Sequence, residues 1–166
     1  MLFTKKTEYA VRCMVYLDLQ KGKISNNKEI SSGMNIPEYF LSKILQSLIK
    51  KNIVFSSRGM NGGYTLARSS DEINILEIIE AVQGPFKFSV CFLDEKNCEY
   101  KRKCVINQIW DRVNITLQNE LKNLKISEFT SKAMDSGQDQ CMLENCLGLP
   151  GTVCCQMRQL DKIDKN

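Results

Sequence analysis

Apolar side chains at Tyr9, Val11, Cys13, Val15, Tyr16, Leu17 and Leu19 predict a largely buried first helix over residues 4–20. Lys21, Gly22 and Lys23 carry the usual helix-end signals. A short polar helix fits Asn27 to Ser32, broken at Gly33. Pro37 has a preset φ suited to a helix start, and that helix runs to about Lys50. Phe40, Leu41, Ile44, Leu45 and Leu48 give it one apolar stripe, and Glu38, Tyr39, Ser42, Lys43 and Gln46 occupy the other face. Two helices joined by a tight turn, the second polar on its outward side, form a helix-turn-helix.

Two β-prone runs follow, Ile53 to Arg58 and Tyr64 to Ala67, around Gly59-Met60-Asn61-Gly62-Gly63. They predict a β-hairpin. A helix-turn-helix followed at once by a hairpin is a winged helix. Ile75, Ile78, Ile79 and Val82 mark a further helix over residues 74–83, stopped by Gly84-Pro85. Ile109, Val113, Leu117, Leu121 and Leu124 recur every three or four residues on a long helix from Val105 to about Leu124. Its stripe needs a cover, and a symmetric partner helix is the simplest one. The expected class is mainly α with a small β-hairpin wing. The expected domains are a winged helix-turn-helix over 1–86, a cysteine-bearing loop over 87–104, a dimerisation helix over 105–125 and a flexible cysteine-containing tail over 126–166.

Composition sharpens this picture at two points. The 166 residues include eight cysteines and no histidine. The missing histidine removes the Ser-His-Asp and Cys-His catalytic constellations and every imidazole metal ligand. With no phosphate-binding glycine loop and no paired carboxylates in a recognisable setting either, an enzyme is not expected. No apolar run reaches membrane-spanning length, and the opening residues lack a signal-peptide core, so a cytoplasmic protein is expected. Eight cysteines in a reducing compartment point to metal or redox chemistry rather than disulfides.

Charge is divided unevenly. Residues 1–68 carry eleven Lys/Arg against four Asp/Glu, and residues 69–166 carry twelve against fifteen. A basic first half fits a polyanionic partner, usually nucleic acid. Pro37, Glu38, Tyr39, Ser42, Lys43 and Gln46 are the candidate major-groove set, with Arg58, Asn61 and Gly62 of the wing reaching a phosphate or the minor groove.

Cys91, Cys98 and Cys104 are separated by six and then five residues, wider than the gaps of about two to four common at zinc sites. Thiolates suit iron–sulfur clusters and zinc alike, and Lys101, Arg102 and Lys103 favour the thiolate form of Cys104. On spacing alone a cluster, zinc, thiol sensing and plain structural cysteines all stay open. Cys141, Cys146, Cys154 and Cys155 form a second thiol group with irregular gaps. Cys13, on an apolar helix face, reads as a core residue.

The chain resembles the Rrf family of bacterial winged-helix regulators over roughly residues 1–125. The likeness rests on Thr7-Glu8-Tyr9-Ala10-Val11-Arg12, on Tyr39-Phe40-Leu41-Ser42-Lys43-Ile44-Leu45, on the wing from Ser57 to Tyr64, on Glu80 to Pro85, and on the three cysteines. In the family wing, Pro and Gly stand where this chain has Met60 and Asn61. The resemblance implies a homodimeric regulator that binds double-stranded operator DNA, with Cys91, Cys98 and Cys104 holding a [2Fe-2S] or [4Fe-4S] cluster. IscR-like members of the family use a histidine three residues after the third cysteine, where this chain has Asn107. NsrR-like members place a carboxylate near the N-terminus, where this chain has Glu8, and there it reaches the cluster of the partner subunit. The expected function is therefore a repressor whose operator affinity follows an iron–sulfur cluster. A cluster-free thiol regulator of the same fold is the alternative, and a small metal-binding or electron-carrier protein is the alternative from another class.

Overall fold

The computed structural model describes residues 4–59, 62–87 and 104–135. The first helix, α1, spans Lys5–Leu19; Thr4 caps it by accepting from the Thr7 N–H. It runs through the middle of the fold, with Ala10, Cys13, Met14 and Leu17 at 1% exposure or less. Lys21 at φ 50° and Gly22 at φ 83° then turn the chain away.

The second helix, α2 (Asn27–Met34), opens with a reciprocal capping box between Asn26 and Glu29, which satisfies two otherwise unpaired backbone donors. Gly33 does not break this helix as expected. It lies within α2 because a Cβ there would come 2.6 Å from Cε2 of Tyr16. Asn35, at φ 49°, ends the helix instead.

Pro37 then leads into α3 (Glu38–Lys50), whose Leu41, Ile44, Leu45 and Leu48 are fully buried. Phe40 departs from the expected stripe and is 50% exposed. It stands on the first turn, where side chains lean towards the helix N-terminus and so beyond the body of the core. Its ring meets Tyr9, 6.4 Å between centroids.

The wing consists of β1 (Val54–Ser57) and β2 (Gly63–Leu66), antiparallel, with Val54 opposite Leu66 and Ser57 opposite Gly63. The segment between α1 and α2 adds a bridge to it. Ser25 and Tyr64 exchange backbone hydrogen bonds of 3.0 and 2.8 Å. Gly63 is required at this seam, because a Cβ would lie 2.5 Å from the Ser25 carbonyl oxygen.

Asn74 caps α4 (Ile75–Gln83), and Gly84 at φ 87° ends it. The long helix α5 spans Val105–Asn123. Residues 126–135, expected to open a flexible tail, instead form α6 (Ile126–Asp135), which packs along α1. Ile126 and Ala133 are buried to 1% exposure or less. The α5–α6 corner is stitched to the start of α4 by Ile75 N–H to Leu124 O and Ile126 N–H to Ile73 O. Among the described residues no helix is long and apolar enough to cross a membrane.

Candidate DNA interface and cysteine junction

The outward face of α3 is built by its buried one: anchoring Leu41, Ile44, Leu45 and Leu48 leaves Glu38, Tyr39, Lys43 and Gln46 exposed and Ser42 half-buried. Pro37 is exposed at the helix start. The Ser42 hydroxyl donates to the Glu38 carbonyl at 2.9 Å. The Lys43 ammonium donates to the Tyr39 hydroxyl at 2.5 Å and lies 4.2 Å from the ring centroid. Phe40 meets Tyr39 edge-on, 5.7 Å between centroids at 79°.

Arg58 is exposed where β1 leaves the hairpin, and Gly62 is half-buried, its N–H bonded to the Gly59 carbonyl at 3.0 Å. A Cβ on Gly62 would meet the Ser57 carbonyl oxygen at 2.6 Å. Asn61 lies outside the described residues. Between the wing and the start of α2 runs a polar groove lined by Asn26, Asn27, Ser57, Arg58, Gly62 and Tyr64. The sequence reading missed Asn26 and Asn27 as neighbours of the wing. An Asn-x-x-Glu capping signal stands at the helix start, but only the Ser25–Tyr64 bridge brings that start to the hairpin.

The cysteine segment is held at both described flanks. On its N-terminal side, Thr4 and Thr7 hydroxyls donate to the Gln83 side-chain oxygen at 3.2 and 2.8 Å, and the Lys6 ammonium donates to the Val82 carbonyl. Phe86 is buried; its N–H donates to Glu80, and its carbonyl accepts from the Gln118 amide of α5 at 3.2 Å. On the far side, Cys104 is half-buried at the N-cap of α5, and its side chain makes no cap hydrogen bond. Cys91 and Cys98 lie outside the described residues, as do Cys141, Cys146, Cys154 and Cys155. Among the described residues no three cysteines or carboxylates gather as a metal site.

Glu8 stands on the first turn of α1, its Oε1 paired with Arg12 and its Oε2 with Lys5 at 2.8 Å. Asn107 donates to the Asp111 carboxylate at 3.4 Å. Cys13 is fully buried, which pushes its thiol pKa up to about 12 and makes it an inert core residue.

The expected stripe of α5 is graded along the helix. Leu121 is 8% exposed, whereas Ile109 is 54% exposed and its neighbours Val105 and Ile106 are 66% and 60% exposed.

A profile of the family Rrf2, iron-dependent transcriptional regulators, matches residues 3–132. The chain belongs to the Rrf2 family. It is 30% identical to the HTH-type transcriptional regulator IscR of Sodalis glossinidius over 132 residues, 79% of each chain. It is 28% identical to the HTH-type transcriptional regulator NsrR of Halalkalibacterium halodurans over 142 residues, 84% of this chain and 94% of that one. The solved structure of CymR, the global cysteine regulator of B. subtilis, superposes with a TM-score of 0.61 at 24% identity, covering 80% of this chain and 98% of that one. The Rrf2 fold is thus the winged helix expected from the sequence. This Rrf2 chain is a DNA-binding transcription regulator and not an enzyme.

Proposed function

We propose that this Rrf2 regulator binds operator DNA as a homodimer and represses from it, with its affinity set by an iron–sulfur cluster. The observation that carries the reading is the pairing of a solvent-facing α3 and wing with the uncovered apolar start of α5. Pro37, Glu38, Tyr39, Ser42, Lys43 and Gln46 enter the major groove, and Arg58, Asn61 and Gly62 approach the backbone beside it. Val105, Ile106 and Ile109 are covered by the matching helix of a second copy, which places two reading helices about 34 Å apart, one turn of DNA. Such a protein works in the cytoplasm, where the chromosome is.

The donor set fits the proposed group. Cys104 sits at the N-cap of α5 with its sulfur not engaged in capping, and sulfur is an ordinary ligand for iron–sulfur clusters. Cys91 and Cys98 complete the thiolate set, and Glu8 of the partner subunit supplies an oxygen. Among the described residues its Oε2 pairs with Lys5, whose side chain is 70% exposed, so that pair opens at little cost. When bound, the cluster supplies a charge and a covalent tie that oxidation, nitrosylation or iron loss removes. Cys104 would join the cluster to α5, and Phe86 joins α5 to α4 through its bonds to Gln118 and Glu80. A small rotation at this junction alters the spacing of the two reading helices.

Anaerobic purification with a visible spectrum and iron and sulfide analysis tests the proposal. Coloured protein, with matched iron and sulfide, that bleaches in Cys91→Ala, Cys98→Ala and Cys104→Ala supports it. Protein that stays colourless after anaerobic reconstitution overturns the cluster and leaves a DNA-binding regulator that senses by another route.

A further inference from the structure

We propose that Lys43 reads a guanine in each operator half-site and that Tyr39 is the positioning residue that aims it; this rests on α3 being the DNA-reading helix. An ammonium has three N–H donors and no acceptor. In this structure one of the three is committed to the Tyr39 hydroxyl at 2.5 Å, and the aromatic ring lies alongside, its centroid 4.2 Å away. Two donors remain, on a side chain that is exposed.

The major-groove edge that matches two neighbouring donors is guanine, which presents the acceptors N7 and O6. Adenine sets its N6 donor beside N7, cytosine offers a donor, and thymine offers a single acceptor next to a methyl group. The donors left free by Tyr39 therefore select one base of the four.

The arrangement is braced from behind. Tyr39 is 66% exposed and has no core packing of its own, but Phe40 meets its ring edge-on at 5.7 Å and is itself backed by Tyr9 of α1 at 6.4 Å. This explains what the half-exposed Phe40 does outside the apolar stripe. It props an aromatic post to which a long, otherwise mobile lysine is fastened. Holding the ammonium in place before binding reduces the ordering cost that a free lysine would carry into the groove.

The test is selection of bound duplexes from a random double-stranded DNA library by the full chain, purified anaerobically, beside Lys43→Met and Tyr39→Phe. Both side chains are exposed, and a thermal melt of each variant confirms its fold. The wild type is expected to enrich guanine at one position of each half-site. Lys43→Met is expected to lose that preference by about tenfold, with the other enriched positions unchanged. Tyr39→Phe keeps the ring and removes the hydroxyl acceptor, and should weaken the preference at the same position.

If Lys43→Met instead weakens binding equally on all sequences, lowers the salt dependence and leaves the selected sequence intact, Lys43 is a phosphate contact and the proposal is overturned. A Tyr39→Phe effect at a different position overturns the positioning role. Should the wild type bind duplexes yet yield a sequence that Lys43→Met and Tyr39→Phe leave untouched while Gln46→Ala changes it, α3 reads DNA through other side chains. Failure of the wild type to show salt-dependent duplex binding at all would remove the underlying reading of α3 as well.

Discussion

Glu8 and Arg12, one turn apart on α1, form an ion pair in which the arginine side chain is only 8% exposed and the carboxylate 24%. The Arg12 guanidinium also lies 5.9 Å from the Tyr9 ring centroid, and its Nε is buried with no hydrogen-bond partner among the described residues. Glu8 thus has a structural task in each chain besides its proposed role as a ligand.

Removing that carboxylate leaves a buried guanidinium without its acceptor. Glu8→Ala should lower stability by about 1–3 kcal/mol, whereas Glu8→Gln, which keeps an acceptor oxygen, should cost clearly less. Urea unfolding of both variants checks this. It also shows how to separate the two roles, since Glu8→Gln should weaken the proposed iron ligation while sparing the fold.

Gly33 faces the Tyr16 ring, where a Cβ would stand 2.6 Å from Cε2. Gly33→Ala should therefore destabilise by about 1–3 kcal/mol despite alanine's better helix propensity. In a Tyr16→Ala background the same change should be neutral or stabilising. A double-mutant cycle by chemical denaturation that found additive effects would contradict this contact.

Cys13 has its pKa raised from an ordinary value of 9.0 to about 12 by burial. The folded thiol then keeps its proton where the unfolded one loses it. Its contribution is fully present below about pH 9 and is lost as pH rises towards about 12. Between about pH 7 and about pH 10.5 the wild type should lose about 2 kcal/mol more stability than Cys13→Ala. Urea curves at the two pH values give the comparison. Native Cys13 should also resist alkylation by iodoacetamide until the chain unfolds.

Ile126 opens α6 at 0% exposure against the core. Truncating it to alanine should cost about 2–5 kcal/mol and lower the thermal midpoint. A change near zero would restore the expectation that the ordered fold ends at α5.

The sequence by itself determined what depends on near neighbours along the chain. The proline before α3, the glycine-rich turn and the Gly84-Pro85 stop are local signals, so the order of α1 to α5 and the hairpin was readable, with the end of α2 misplaced at Gly33. Residue chemistry likewise marked the α3 face, Arg58 and the cysteines, because donor types and their spacing carry that information directly.

Tertiary structure decided whatever depends on contacts between distant segments. The positions of Phe40 and Leu41 along the stripe do not reveal that the body of the protein ends beneath one and supports the other. Gly33 looked like a helix breaker because its neighbour Tyr16 lies on another helix. The polar run after residue 125 concealed α6, whose Ile126, Thr130 and Ala133 form a face only once α1 is there to receive it. Helix 100° periodicity says which residues share a side, but packing alone determines what stands opposite, and it is Tyr9 of α1 that backs the Phe40 ring beside Tyr39.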